Sequence, residues 1–337
     1  RRWPTNPVRD PNGHYVAGNE IIQMEGSGID RTQKDYSAQQ ITLEARPIAG
    51  LMLRAENNYN ITSANNHWDV RAIYSHDKKG DPVLTSREGG DAGRTSVHED
   101  AYKTNYFNGR YYAEYRHLFA DKHDVKVVAG LDLEINKYRD LGGTKLDLIT
   151  NDVATVNTAT NDKPSLYGGY THWATMGYFA RLNYAYDERY LLEVSLRRNG
   201  SSRFIGDKRW ATFPSFSLGW NIANEAFFAP LKQHVSMLKL RGSWGTLGNT
   251  EVRALYPWFL AQPVGTANSQ WVLNGERQNT SNSPGLVSSS LTWERIESWN
   301  LGLDFGAFNN RLQGQLDYFN RTTRDMVGPP APKPFTI

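Results

Sequence analysis

Four carboxylates of this chain lie in segments where polar and apolar residues alternate, and a matched pair of carboxylates could cleave a glycosidic bond. They are Asp132, Glu134, Glu193 and Asp304. A glycosidase holds one carboxyl group as acid and a second as base or nucleophile at a fixed separation. The spacing of these residues indicates no such pair, so we interpret them as polar groups on water-facing strand faces. We predict no catalytic residue.

A candidate metal-binding segment contains His98, Glu99 and Asp100, which we expect to lie in a loop. Metal ions need convergent ligands, whereas adjacent side chains of an extended segment point in opposite directions. The segment from Asp77 to Pro82 lacks the alternating oxygen ligands and distal Glu of an EF-hand, so we predict a simple turn there. The chain has no P-loop, dinucleotide fingerprint, G-x-S-x-G or H-E-x-x-H motif. We predict no metal, no cofactor and no enzymatic activity.

Composition excludes several classes of protein. The chain has 337 residues, of which 39% are hydrophobic, and no apolar run approaches the roughly 20 residues of a membrane-spanning helix. The formal net charge is +3 and the basic residues are scattered, which argues against a nucleic-acid partner. Without cysteine, the chain has no disulfide and no thiolate metal site. The start of the sequence lacks an export signal, so we expect either that the numbering begins after other domains or that the protein is not exported.

The elements that would position these residues are β-strands, and the clearest pattern covers residues 178–198. Side chains of a strand alternate between its two faces. Here one face collects Tyr178, Ala180, Leu182, Tyr184, Tyr186, Leu192, Val194 and Leu196, and the other collects Phe179, Arg181, Asn183, Ala185, Glu193, Ser195 and Arg197. Aromatic residues flank the charged turn at residues 187–189. A membrane barrel has this pattern, with an apolar face toward lipid, a polar face toward a lumen, and aromatic residues near the strand ends.

Together with this segment, the rest of the chain predicts about ten strands in five hairpins. The strand pairs are Gln40 to Arg46 with Leu51 to Asn60, Tyr106 to Leu118 with Asp124 to Lys137, Met176 to Tyr186 with Tyr190 to Asn199, Trp210 to Ile222 with Met237 to Gly245, and Ser298 to Gly306 with Arg311 to Asn320. We expect a helical turn within the connection from Asn224 to Leu231. Long polar connections separate the hairpins at Ile61 to Asn105, Tyr138 to Thr175, Gly200 to Arg209, and Thr246 to about Leu291. Short turns at one rim and long loops at the other are typical of outer-membrane barrels.

Several segments carry a resemblance to a known family. They read GYFARLNYAYDERYLLEVSLRRNGSSRF, RWATFPSFSLGWNIANEAFF, LKLRGSWGTLGN and LTWERIESWNLGLDFGAFNNRLQGQLDYFNRTTRDM. They resemble consecutive barrel strands of the SusC/RagA family, the TonB-dependent outer-membrane transporters of Bacteroidetes. The fold class expected from this resemblance is all-β, an antiparallel transmembrane β-barrel.

The resemblance implies a 22-stranded barrel with an N-terminal plug domain in the bacterial cell outer membrane. It also implies a SusD-like surface lipoprotein as partner and import of oligosaccharides or peptides, driven by TonB through the N-terminal region. We find no plug domain, TonB box or terminal closing strand in this sequence. We therefore expect residues 1–337 to be one partial barrel domain of a longer transporter.

Two groups of residues are candidates for function. The first would face the lumen or a plug and consists of Arg181, Asn183, Glu193, Arg197, Lys239 and Arg241. The alternative for this group is plain solvation of a wide lumen. The second would contact ligand or partner from external loops and consists of Tyr167, Trp173, Tyr256, Trp258, Phe259 and Trp271, together with Tyr170. Exposed aromatic rings combine large contact area with few rotatable bonds, although packing among the loops themselves is the alternative.

Two other classes of protein compete with a TonB-dependent transporter. A soluble all-β protein that binds or cleaves glycans would also show alternating strands, but such sandwiches and propellers usually repeat at a fixed period, and this sequence does not. A passive porin would share the barrel but not the plug or the lipoprotein. The sequence leaves the substrate open.

Overall fold

The computed structural model describes residues 7–16, 20–84, 94–250, 255–256, 258–260, 262, 264–265, 271–281 and 291–326. Most of these residues lie in β-strands. Among the residues that it describes, no helix is long and apolar enough to cross a membrane.

The described part of the chain contains one α-helix, sixteen strands and four short 3-10 turns. The helix is α1 (Glu20–Gly26), and the strands are β1 (Asp30–Ile48), β2 (Leu51–Val70), β3 (Tyr74–His76), β4 (Pro82–Leu84), β5 (Ser96–Phe119), β6 (His123–Leu146), β7 (Ser165–Tyr186), β8 (Tyr190–Ser201), β9 (Trp210–Asn221), β10 (Val235–Asn249), β11 (Val264–Gly265), β12 (Val272–Leu273), β13 (Glu276–Arg277), β14 (Thr280–Ser281), β15 (Glu294–Ala307) and β16 (Leu312–Arg324). The 3-10 turns are Val156–Thr158, Gly206–Arg209, Ile222–Asn224 and Ala226–Leu231.

The ten long strands form one sheet in the order β1-β2-β5-β6-β7-β8-β9-β10-β15-β16. Each long strand therefore lies beside the next long strand along the chain, and the neighbouring pairs from β7 to β16 are antiparallel. The prediction of ten strands in five hairpins is confirmed. So is the helical turn between β9 and β10, since both the Ile222–Asn224 and Ala226–Leu231 turns lie there.

The long connections are shorter than predicted, because four strands continue well beyond their alternating segments. β2 extends to Val70 and β5 starts at Ser96, while β6 ends at Leu146 and β7 starts at Ser165. Polar and apolar residues must alternate only where one face of the sheet is apolar. Beyond that part of a strand, pairing can continue with water on both faces. The predicted bounds of the connections at Ile61 to Asn105 and Tyr138 to Thr175 were therefore wrong, since strand residues occupy both ends of each.

This strand extension corrects the placement of several residues. Tyr167 and Trp173 lie in β7 rather than in an external loop, and the segment from His98 to Asp100 lies in β5. The turn predicted at Asp77 to Pro82 is confirmed, except that Pro82 is the first residue of β4. Asp77 Oδ1 there accepts hydrogen bonds from the backbone N–H groups of Lys79 and Asp81, at 2.8 Å and 2.9 Å.

The chain divides into two units of internal contacts. Unit 1 contains Arg1–Gln39, Tyr59–Tyr106 and Asn136–His172, and unit 2 contains Gln40–Asn58, Phe107–Ile135 and Trp173–Ile337. Several long strands contribute residues to both units.

In unit 2, strand register separates polar from apolar side chains. One row of directly paired residues across β7, β8, β9, β10 and β15 is Asn183, Glu193, Ser217, Ser243 and Asn300. The neighbouring row, which points to the opposite face and continues to β16, is Tyr184, Leu192, Leu218, Gly242, Leu301 and Tyr318. The predicted alternation is thus confirmed across strands as well as along them.

The apolar face of unit 2 is uncovered. Leu218 is 56% exposed and Leu301 is 52% exposed, although burial of one such side chain stabilises a soluble protein by about 1.5 to 3 kcal/mol. The buried hydrophobic cluster of this unit is instead small, formed by Phe204, Phe213 and Trp293. A sheet that leaves its apolar face open along several strands fits contact with lipid better than contact with water.

Candidate functional site

All six residues predicted to face a lumen or plug lie on the polar face of unit 2. Arg181 and Asn183 belong to β7, Glu193 and Arg197 to β8, and Lys239 and Arg241 to β10. Strand register places them on one side, since Asn183 pairs with Glu193, and Gly219 pairs with both Leu191 and Arg241. A concavity of about 830 Å³ on this face is lined by residues that include Asn183, Glu193, Lys239, Arg241, Ser215, Ser217 and Ser243.

Arg241 connects three neighbouring strands. Its Nε lies 3.1 Å from Asp304 Oδ1 on β15, and its Nη2 lies 2.7 Å from Asp317 Oδ2 on β16. The guanidinium reaches β16 by passing over Gly302, where an added Cβ would lie 2.4 Å from Arg241 Cζ. The glycine therefore makes room for an arginine that ties β10 to β16.

Arg197 forms a second contact of this kind. Its Nη2 on β8 lies 2.7 Å from Asp132 Oδ1 on β6, and its Nε lies 2.8 Å from Asn199 Oδ1. The intervening strand β7 presents Gly177 at the crossing point, where a Cβ would lie 2.7 Å from Asp132 Oδ1. Glycine again permits a contact that skips one strand.

Each of the four carboxylates considered for catalysis has its own polar partner. Glu193 accepts a hydrogen bond of 2.6 Å from Asn183 Nδ2, and Glu134 accepts one of 3.1 Å from Thr175 Oγ1. Asp132 and Asp304 bind arginines as described above. These contacts fit the interpretation that the four residues are members of polar networks on a strand face. In the described ranges, no group of three or more His, Asp or Glu side chains could hold a metal ion.

Two of the six aromatic residues proposed for ligand contact are held by the polypeptide itself. Trp258 Nε1 donates a 3.1 Å hydrogen bond to the carbonyl oxygen of Arg203, and the guanidinium of Arg203 lies 5.1 Å from the centre of the Trp173 ring. Next to them, Trp293 Nε1 donates a 3.1 Å hydrogen bond to the carbonyl oxygen of Arg209. Trp173 and Trp258 therefore both contact Arg203, in the connection between β8 and β9.

Phe259 and Trp271 differ from these residues in exposure. Phe259 is 65% exposed and Trp271 is 75% exposed. Tyr256 packs edge-on against Trp258 with 6.1 Å between ring centres. Of the six candidates, Phe259 and Trp271 therefore expose the largest fractions of their surface to a ligand or partner.

Tyr167 belongs to a group that sequence reasoning missed. In unit 1 its ring lies 6.1 Å from the ring of His98, with 21° between the planes, and His98 lies 5.0 Å from Trp68 on its other side. Asn66 and Trp68 lie on one face of β2, and His98 and Asp100 lie on one face of β5, because residues two apart in a strand share a face. This spacing was the feature of the sequence that could have indicated the group. It was missed because these positions were assigned to loops.

At the tight-turn end of unit 2, the buried side chain of Glu225 is the centre of a polar cluster. It accepts hydrogen bonds from Trp220 Nε1 at 3.0 Å and Arg189 Nη1 at 3.2 Å. Hydrogen bonds from the Tyr190 hydroxyl and from Trp220 lower the pKa of Glu225, with a smaller effect from Arg189. This cluster ties the β7–β8 turn to the connection that follows β9.

An antiparallel sheet with one polar face, one uncovered apolar face and long connections defines the wall of a membrane β-barrel. Residues 2–334 match the family described as TonB dependent receptor-like, beta-barrel, and the chain belongs to this family. It is therefore a protein of the bacterial outer membrane. Family membership rules out the soluble all-β alternative.

Individual relatives agree with this assignment. The chain is 38% identical over 152 residues to the TonB-dependent receptor SusC of Bacteroides thetaiotaomicron, and this match covers 45% of this chain and 15% of SusC. It is 25% identical over 347 residues to the TonB-dependent receptor P26 of Formosa agariphila, and this match covers 96% of this chain and 32% of that receptor. A solved structure of the RagAB peptide transporter matches with a TM-score of 0.75 and 23% identity, over 90% of this chain and 31% of that chain. This structural match concerns the fold, and the chain spans less than a third of each relative.

Proposed function

We propose that this chain is part of the barrel of a SusC-like, TonB-dependent transporter that imports oligosaccharides or peptides. The family match over residues 2–334, together with the 38% identity to SusC, is the observation that carries this proposal. The segregated faces of unit 2 support it, because a transporter barrel needs an apolar surface toward lipid and a polar wall inside.

The proposed partners follow from the same similarity. A SusD-like surface lipoprotein would contact the long connections, and TonB would act through an N-terminal region of the whole protein. The six polar residues from Arg181 to Arg241 would face the lumen or a plug, and Phe259 and Trp271 would contact ligand or lipoprotein. The protein would have no enzymatic activity, since each of the four carboxylates considered for catalysis is engaged by an amide, hydroxyl or guanidinium group.

Uptake by cells tests this proposal. Cells that carry the complete transporter should accumulate a nutrient in a manner that requires both TonB and the proton gradient, and deletion of the transporter should abolish the uptake. A passive porin is the second candidate, because it shares the two-faced wall. Uptake that persists when the proton gradient is collapsed would favour the porin and contradict the transporter.

A further inference from the structure

Unit 1 carries a surface of aromatic rings and carboxylates that is separate from the polar networks of unit 2. We define this ring surface by Trp68 on β2, His98, Asp100 and Tyr102 on β5, Tyr138 and Asp140 on β6, and Tyr167 on β7. Trp68, His98 and Tyr167 form a continuous row of nearly parallel rings, and Tyr102 and Tyr138 lie 6.0 Å apart. Trp68 and Tyr167, the two ends of the row, are both exposed.

A glycine allows the row to form. Tyr167 and His98 are separated by strand β6, and Tyr167 leans over Gly142 of that strand to reach the imidazole. A Cβ at position 142 would lie 2.6 Å from Tyr167 Oη and 2.6 Å from Asp100 Cβ. Any side chain at position 142 would therefore displace either the tyrosine ring or the aspartate.

Hydrogen bonds orient the polar groups of the ring surface. Asn66 Nδ2 donates to Asp100 Oδ2 at 2.7 Å, and His98 Nε2 lies 3.1 Å from Asp100 Oδ1. The other imidazole nitrogen, His98 Nδ1, lies 2.7 Å from Thr144 Oγ1. A ring and a carboxylate that are held in place before a ligand arrives lose little side-chain entropy on binding.

The charge of the ring surface restricts its ligand. Its two carboxylates carry negative charge, while the nearby cations Lys103, Arg139 and Lys145 have the opposite strand parity and point to the other face. An anionic ligand would therefore be repelled. A carboxylate is an acceptor for several hydroxyl groups, and an aromatic face attracts the weakly positive C–H groups of a sugar ring.

We propose that the ring surface binds a sugar ring of a neutral oligosaccharide, which stacks on Trp68 or Tyr167 and donates hydroxyl groups to Asp100 and Asp140. This proposal rests on the proposed function, because import by the transporter is what would bring an oligosaccharide to the ring surface. Asp100 already has donors from Asn66 and His98, and it has acceptor capacity left for the hydroxyl groups of a neutral sugar.

Binding to the purified complete transporter tests the site. The probes are a panel of neutral oligosaccharides, a panel that contains uronic acids, a Lys-rich peptide and a Glu-rich peptide. We expect at least one neutral oligosaccharide to bind. Trp68→Ala and Tyr167→Ala should each weaken its affinity by about 5-fold to 30-fold, since a truncated aromatic contact typically costs this much. Gly142→Val should weaken binding as well, because it displaces the Tyr167 ring or Asp100 without removing either.

Leu166→Ala is the matched control. Leu166 is the neighbour of Tyr167 in the same strand, its side chain has the opposite parity, and it is 75% exposed. Its loss should leave affinity unchanged, and circular dichroism should report that every variant has folded. Absence of binding to every neutral oligosaccharide overturns the proposal, as does unchanged affinity in folded Trp68→Ala and Tyr167→Ala. Binding of the Lys-rich peptide alone would also overturn it, in favour of a cationic ligand.

Uptake separates this proposal from the proposed function. If the complete transporter binds the oligosaccharide at the ring surface but energy-dependent uptake fails, the transport function is wrong and the site stands. If uptake of that oligosaccharide is normal and Trp68→Ala changes neither its affinity nor its half-saturating concentration, the site is wrong and transport stands.

Discussion

Arg197 on β8 binds Asp132 on β6 across an entire intervening strand, with 2.7 Å between Nη2 and Oδ1. The contact is possible because β7 presents Gly177 at the crossing point. Arg241 and Asp317 repeat this arrangement over Gly302, and Tyr167 and His98 repeat it over Gly142. Side chains that skip one strand tie together three strands of a sheet, which resists shear between neighbours in a way that pairwise contacts do not.

The Arg197–Asp132 pair should show measurable energetic coupling. Asp132 is mostly buried while Arg197 is 41% exposed, so solvent screening limits the coupling to about 0.5 to 1 kcal/mol. The measurement is a double-mutant cycle with Arg197→Met and Asp132→Asn, read by urea unfolding of the complete transporter in lipid. The control is Arg181 with Glu193, whose charged atoms lie 3.8 Å apart with Arg181 54% exposed, and whose coupling should be close to zero. Equal coupling in the two pairs would contradict the special role of the crossing over Gly177.

Trp293 and Trp271 should behave in opposite ways. Trp293 is 6% exposed in the cluster with Phe204 and Phe213, and truncation of a buried tryptophan typically costs about 3 to 5 kcal/mol. Trp293→Ala should therefore raise hydrogen exchange at residues 202–213. Trp271 is 75% exposed, and Trp271→Ala should change stability by less than about 0.5 kcal/mol. Equal exchange at residues 202–213 in Trp293→Ala and wild type would show that the cluster does not hold these strand ends.

The Glu225 cluster should respond to acid. The pKa of Glu225 in the folded protein is lowered below its ordinary value of 4.5, mainly by hydrogen bonds from Tyr190 and Trp220. Its stabilising contribution is therefore complete above the ordinary value and is lost as pH falls through the lowered value. Amide exchange at residues 220–226, corrected for intrinsic rates, should become faster as the pH is lowered from about 6 to about 3. Glu225→Gln should exchange faster at the higher pH and lose most of this pH dependence, and an unchanged profile would count against the cluster.

Leu182 and Asn183 are neighbours that should tolerate a charge differently. Leu182 lies on the uncovered apolar face, and Asn183 lies on the polar face beside Glu193. Leu182→Arg should cost about 2 to 4 kcal/mol in lipid, whereas Asn183→Arg should be nearly neutral, because only the first places a charge against hydrocarbon. The free energy of unfolding in lipid vesicles measures both, and equal costs would mean that the faces are wrongly assigned.

The sequence was sufficient to predict the strand pairs because an alternating pattern such as residues 178–186 leaves one register that keeps all apolar residues on one face. It was insufficient where alternation is absent. Tyr167 and Trp173 were therefore placed in a loop although they belong to β7. Contacts that skip a strand, such as Arg197 to Asp132, depend on the register of three strands and on a glycine at the crossing point. The pattern of one strand contains no information on that coincidence.

The ranking of the loop aromatic residues was also beyond the sequence. Trp258 and Trp271 lie in the same polar connection with similar neighbours. Only the structure shows that Trp258 donates to the Arg203 carbonyl while Trp271 is exposed. A hydrogen bond to a backbone group 55 residues away leaves no local signature.

Site-directed labelling of single cysteines tests the two-faced barrel wall most directly, since this chain has no cysteine of its own. Cysteine would be placed in turn at residues 180–185 and 192–196 of the complete transporter in lipid. A water-soluble maleimide should label Arg181→Cys, Asn183→Cys and Glu193→Cys, and a lipid-dissolved maleimide should label Ala180→Cys, Leu182→Cys and Val194→Cys. The predicted result is strict alternation between the two reagents along both strands. Labelling of both sets by the water-soluble reagent at equal rates would contradict the membrane barrel and the account built on it.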